Sequence, residues 1–263
     1  MEVIIVENQE EVCRLASQRL LHLISEKPQC ILGLATGRTP LGVYKKLVEH
    51  HASGQLNCSQ MTTFNLDEYV GVDASQASSY ASYMKNNFFE PLGIKKEQTH
   101  LPNGVAKDIA LECARYEALI KEKGPIDLQL LGIGRDGHIG FNEPGSSLGS
   151  RTRLKTLTEQ TRADNAPNFS EAETIPHHVI TMGIQTIMDS RELVLIACGE
   201  AKAEAIAQAV EGPVTSFIPA SVLQFHSNVK IIVDEAAAKN LKNKDYYKEV
   251  FAKKPPWQAA EFL

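Results

Sequence analysis

Six short apolar runs recur along the chain: VIIV (3–6), CILGLA (30–35), MTTFNL (61–66), LQLLGI (128–133), ELVLIA (192–197) and VKIIVD (229–234). They are continuous rather than alternating, as expected of strands buried on both faces of a mostly parallel sheet. Between them lie amphipathic stretches with helical spacing, at 9–25, 40–50, 78–89, 107–123 and 200–210. This alternation predicts an α/β fold: a single doubly wound, mostly parallel, Rossmann-like sheet with helices on both faces. No linker, charge block, low-complexity tract or repeat interrupts the pattern, so residues 1–263 are expected to form one domain.

In such sheets ligands bind outside the carboxyl ends of the strands, where loops enter the following helices. Four of these ends carry polar clusters: TGRTP after CILGLA, NLDEY after MTTF, GRDGHIGFNEP after LQLLGI, and CGEAK after ELVLIA. Composition narrows what they meet. With 27 Lys and Arg against 32 Asp and Glu the formal charge is −5, which offers no electrostatic footprint for nucleic acid or anionic lipid. A small partner is expected. The five cysteines are scattered, with no C-x-x-C pair, and read as reduced core thiols. Acids stand near the N-terminus where a signal peptide would be basic, and no apolar run reaches the length of a membrane span, so a cytoplasmic protein is expected.

LATGRTP joins a strand to a Gly-bearing turn with hydroxyls at Thr36 and Thr39 and Pro40 at the start of a helix. Exposed N–H groups and the positive helix end suit an anion, phosphate above all, although an ordinary strand-to-helix turn explains the motif equally well. Lys202 in CGEAK could add a point charge to the same anion. In NLDEY, Asp67 and Glu68 are adjacent on extended backbone and face opposite ways, so one is expected to reach a site there. A partly desolvated carboxylate can act as base toward a carbon acid beside a carbonyl, while a capping turn acid is the equal alternative. GRDGHIGFNEP is the sharpest stretch: His138 stands between Asp136 and Glu143 among glycines. Either acid could accept a ring N–H, fix the tautomer and raise basicity, which suits an imidazole that moves a proton on and off oxygen. A metal ion held by His138, Asp136 and Glu143 competes, but no second histidine at ligand spacing supports it.

The blocks GLATGRTPLGVYKKL, FNLDEYVGV, LLGIGRDGHIGFNEPGSSL and IPASVLQFH, in this order, resemble the glucosamine-6-phosphate deaminase family, from the first strand to about residue 241. The resemblance implies isomerising deamination of glucosamine 6-phosphate to fructose 6-phosphate and ammonia, in N-acetylglucosamine catabolism, by an enzyme classed as a hydrolase. It implies that Asp67 shuttles a proton from C2 to C1, and that His138, oriented by Asp136 and Glu143, catalyses ring opening. Thr36, Gly37, Arg38 and Thr39 would bind the phosphate with Lys202. No metal or organic cofactor is implied.

Two further features come from the same resemblance. Family members commonly carry a lid arginine in a segment of the type NARFF that grips the phosphate; here the segment is DNAPNFSEAETIP, with Pro167 at that place. Loss of a charge-assisted contact costs about 1.5–3 kcal/mol if nothing replaces it, and Arg38 and Arg162 are the expected replacements. SSLGSRTRLKTLT is similar to the allosteric version of the family, in which Ser146, Arg153 and Lys155 would bind N-acetylglucosamine 6-phosphate between subunits of a hexamer. A basic surface strand explains it equally well. The competing functions are a galactosamine-6-phosphate deaminase, a 6-phosphogluconolactonase, and a non-catalytic sugar-phosphate sensor. NLDEYVG and GFNEP favour the deaminase over the lactonase, and the intact catalytic set disfavours the sensor.

Overall fold

The computed structural model describes residues 1–171 and 173–256. The chain runs β1 (Glu2–Val6), α1 (Gln9–Glu26), β2 (Ile31–Leu34), α2 (Arg38–Ala52), β3 (Thr62–Asn65), β4 (Asp67–Tyr69), α3 (Tyr80–Met84), β5 (Thr99–His100) and α4 (Ile109–Lys123). It continues through β6 (Leu128–Leu131), β7 (Arg153–Thr156), α5 (Glu159–Asn165), β8 (His178–Thr181), α6 (Ile184–Met188), β9 (Leu193–Ala197), α7 (Ala203–Glu211), β10 (Val229–Asp234) and α8 (Lys244–Ala252). All six strands expected from the apolar runs are present, each within two residues of its run at either end.

Seven strands form one parallel sheet in the order β1-β10-β9-β6-β2-β3-β5. The continuous apolar runs are explained by burial on both faces: every residue of β6, β9 and β10 is buried. One face packs Ile4, Leu32, Leu34, Leu128, Leu130, Ile196 and Ile232 under α1 and α2, through Leu20, Ile24, Tyr44 and Leu47. The other packs Phe64, Leu131, Leu195 and Ile231 against Tyr116 of α4, Ile187 of α6 and Ile206 of α7. Cutting one such leucine to alanine would cost about 2–5 kcal/mol. The fold class read from the sequence is the one found.

A second sheet was not foreseen. β4, β8 and β7 pair antiparallel in that order, with Asp67 opposite Thr181 and Arg153 also opposite Thr181 across the middle strand. Its own small core is Tyr69, Val72, Tyr80, Phe141, Leu157 and Val179. The sheet rises from the end of β3, since a single residue, Leu66, separates β3 from β4. Among the described residues, no helix is long and apolar enough to cross a membrane. Ala172 of the lid segment and residues 257–263 lie outside the described residues.

Candidate active site

Sheet order determines where a ligand fits. The chain leaves β2 through α2 toward β3 on one side, and leaves β6 toward β9 on the other, so the connections from these two neighbouring strands run in opposite directions. That is the switch point at which open α/β sheets form a crevice. TGRTP follows β2, GRDGHIGFNEP follows β6, CGEAK follows the neighbouring β9, and Asp67 starts β4 just beyond β3.

The histidine loop is built for close contact. His138 Nδ1 lies 2.7 Å from Asp136 Oδ1 and 3.5 Å from Glu143 Oε2. Asp136 also accepts the backbone N–H of His138 at 3.2 Å, and Glu143 Oε1 accepts from the N–H and hydroxyl of Thr158, the residue capping α5. A Cβ on Gly134 would stand 2.3 Å from the His138 ring, so this backbone must be glycine for the imidazole to lie where it does. Burial opposes a charge on His138, but the two carboxylates beside it prevail and push its pKa up to about 9. Asp136, despite burial that works the other way, is held below the usual carboxylate range by His138.

Asp67 and Glu68 part company. Glu68 turns to the start of α3 and accepts the N–H groups of Tyr69, Tyr80 and Ala81. Asp67 stays buried on the histidine side: its Oδ2 is 3.5 Å from where a Cβ on Gly140 would stand. Burial, aided by the neighbouring Glu68 carboxylate, pushes the Asp67 pKa up to about 8, and His138 partly offsets this. The two groups are near enough to influence each other's charge, and both have pKa values raised past neutrality, a condition typical of catalytic sites.

The turn after β2 is held by two phenols that the sequence reading missed. Tyr44 donates to the Ala35 carbonyl at 2.5 Å and Tyr83 donates to the Gly37 carbonyl at 2.7 Å, while the Tyr80 hydroxyl shares a hydrogen bond with that of Tyr69 at 3.0 Å. Gly37, at φ +115°, caps α2 and turns the chain into the helix, with Arg38 exposed and Thr39 half-buried in its first turn. With carbonyls tied back in this way, the N–H groups of the first turn are left for an anion. Only the pair of tyrosines three apart, Tyr80 and Tyr83, gave any signal in the sequence.

Lys202 donates to the carbonyl of Ile133 at 2.6 Å, which draws it onto the base of the histidine loop; burial, then repulsion from Arg135, lowers its pKa. Arg135 was also missed. Its Nε stands 3.6 Å from Asp164 of α5. Of the two expected replacements for a lid arginine, Arg162 bonds to the Ile175 carbonyl at 3.3 Å within its own segment, and Arg38 remains exposed. Pro167 is exposed in a single tight turn, Ala166–Asn168.

Ser146 follows the histidine loop in the chain, and Arg153 and Lys155 are on β7. Ser146 is buried, Arg153 donates to Asn142 Oδ1 at 2.8 Å, and Lys155 is close enough to Arg153 that repulsion, after burial, lowers its pKa. One ligand atom each of Asp136, His138 and Glu143 lies within 4.8 Å of the others, near enough to hold a cation, although a single imidazole with two carboxylates is a poor zinc set.

A family model described as glucosamine-6-phosphate isomerases/6-phosphogluconolactonase matches residues 7–232. The chain belongs to that family. Curated glucosamine-6-phosphate deaminases of Pseudarthrobacter chlorophenolicus and Streptomyces coelicolor are each 49% identical to it, over 98% of this chain and 99% of theirs. A solved structure described as a monomeric glucosamine-6-phosphate deaminase superposes with a TM-score of 0.89 at 44% identity, covering 91% of this chain and all of that one. The 6-phosphogluconolactonase of Trypanosoma cruzi, at 19% identity and TM-score 0.74, shares the fold. These findings correct one expectation. The relatives in this isomerase family are named deaminases, so the class is isomerase/deaminase and not hydrolase.

Proposed function

We propose that the chain is a glucosamine-6-phosphate deaminase acting in the cytoplasm as one domain, with Asp67 and His138 as its proton-transfer groups. The observation that carries the reading is the meeting of these two groups, with raised pKa values of about 8 and about 9, at the switch point of a chain of this family. The sugar's phosphate sits on the turn of Thr36, Gly37, Arg38 and Thr39, with Lys202 as counter-charge. Asp136 and Glu143 both gather at Nδ1 of His138, which leaves Nε2 to face the sugar. As an imidazolium at neutral pH, His138 protonates the ring oxygen, the neutral imidazole takes up the proton of the anomeric hydroxyl, and the ring opens to the C1 aldehyde.

Asp67, as carboxylate, then removes the C2 hydrogen and returns it as a proton to C1, while the ammonium on C2 gives up the proton that makes the C1 oxygen a hydroxyl. A cationic amine on C2 beside Asp67 would favour the carboxylate form needed for this step. The product of the transfer is an imine at C2. Water adds there, ammonia leaves, and fructose 6-phosphate remains, so the protein need supply no nucleophile.

Ser146, Arg153 and Lys155 are read as a site for N-acetylglucosamine 6-phosphate in a homo-oligomer, a hexamer if the chain is of the allosteric form. What supports it is that the two cations are near each other on β7 and that Arg153 reaches, through Asn142, the residue next to Glu143. The monomeric state of the solved relative weighs against the oligomer. The test is ammonia release with glucosamine 6-phosphate and galactosamine 6-phosphate, each with and without N-acetylglucosamine 6-phosphate. Release from the gluco sugar supports the reading, activation by the acetylated sugar supports the second site, and no release from either amino sugar would overturn it.

A further inference from the structure

Arg135 is the third residue before His138, on the loop that follows β6. In the sheet that loop lies between two others: the Thr36–Thr39 turn after neighbouring β2, and the Lys202 turn after neighbouring β9. The Lys202 ammonium is anchored on the Ile133 carbonyl, two residues from Arg135, so two cations are held side by side at one edge of the crevice. Like charges brought together in a partly buried place cost free energy unless an anion joins them. The anion now nearest Arg135 is Asp164, at a loose 3.6 Å from Nε, where bidentate pairing would bring two N–H groups to about 2.7–2.9 Å. Asp164 belongs to α5, whose cap Thr158 is tied to Glu143 of the same loop. The guanidinium is more than half exposed, with a side-chain exposure of 58%, so it can swing without unpacking the core.

We infer that Arg135 exchanges its Asp164 contact for the phosphate of the bound sugar, and so supplies the second phosphate cation that position 167 lacks. This rests on the deaminase reading for the substrate, but the phosphate contact itself can be measured without turnover. Arg135 acts on binding and on discrimination between phosphorylated and plain sugars; the chemistry at C1 and C2 stays with Asp67 and His138. Asp164 is a positioning residue that holds the guanidinium at the mouth until the phosphate arrives.

The test combines steady-state kinetics on glucosamine 6-phosphate with titration of inorganic phosphate by calorimetry. Arg135→Ala should raise KM, and weaken phosphate binding, by about tenfold to a hundredfold, the range for loss of one charge-assisted contact. Its kcat should stay within about twofold. Asp164→Asn should lower KM a few-fold, and this gain should vanish in the Arg135→Ala background, because a contact partner couples where a distant charge only adds. Unchanged phosphate affinity in Arg135→Ala would overturn the inference. So would a raised or unchanged KM in Asp164→Asn, or an Asp164→Asn gain that persists in the double variant. Phosphate binding that depends on Arg135 in a protein inactive on amino sugars would uphold the inference and sink the deaminase reading instead.

Discussion

Asp136→Asn removes the nearest carboxylate from His138 Nδ1 and leaves the shape of the loop almost unchanged. The imidazole's rise from 6.5 to about 9 corresponds to about 3 kcal/mol in favour of the imidazolium. Asp136 and Glu143 share that effect against the opposing cost of burial, with Asp136 at 2.7 Å and Glu143 at 3.5 Å. Loss of the nearer one should lower the His138 pKa by about 1–2 pH units, the usual effect of one close charge partner. The sign follows from the acid role. Activity requires Asp67 ionised, giving a limb that rises near pH 8, and His138 protonated, giving a limb that falls near pH 9.

In Asp136→Asn the falling limb moves to lower pH and crosses the rising one, so the fraction of enzyme with both groups correctly protonated shrinks. A falling limb near pH 7.5 reduces the peak of kcat/KM roughly fivefold and moves the optimum from about 8.5 to below 8. The assay is ammonia release against pH for wild type and variant. The substrate's own amine titrates identically in both, so their difference isolates the enzyme, and each limb belongs to the Asp67–His138 pair as a unit. A falling limb that stays in place, or moves to higher pH, would refute the assignment of Asp136 as the partner that charges His138.

Three further outcomes follow from contacts at the site. Gly134→Ala places a methyl where the His138 ring lies, so kcat should fall by at least about tenfold with little change in affinity for inorganic phosphate, checked by kinetics and calorimetry. Tyr83→Phe removes the hydroxyl that holds the Gly37 carbonyl; losing it should raise KM severalfold while kcat holds, and a fall in kcat alone would show that the phenol serves the chemistry instead. Pro167→Arg should change KM by less than about threefold in the wild-type background, because Arg135 already serves, and should restore much of the affinity lost in Arg135→Ala.

What the sequence disclosed, and what it hid, has physical causes. The strands of the main sheet were legible because burial on both faces demands unbroken apolar runs, as in LVLIA and VKIIVD. The second sheet was not: β7 reads RLKT, alternating exposed and half-buried residues, and β4 is only three residues long. α5 reads EQTRADN, with no apolar stripe for a helical period to mark. Asp67, Asp136, His138 and Glu143 could be named because three of them fall within eight residues and the fourth follows a clear strand. Arg135 could not, since its partners Asp164 and Lys202 come from a polar helix and a separate strand end, and only folding brings them to it.

The central claim is that Asp67 carries the proton from C2 to C1. Its most direct test is ammonia release from glucosamine 6-phosphate by Asp67→Asn beside wild type, with inorganic phosphate titrated into both. The account predicts a loss in kcat of about a hundredfold to ten-thousandfold, with phosphate affinity kept within about threefold. A variant that binds phosphate normally and still turns over within about tenfold of wild type would contradict it.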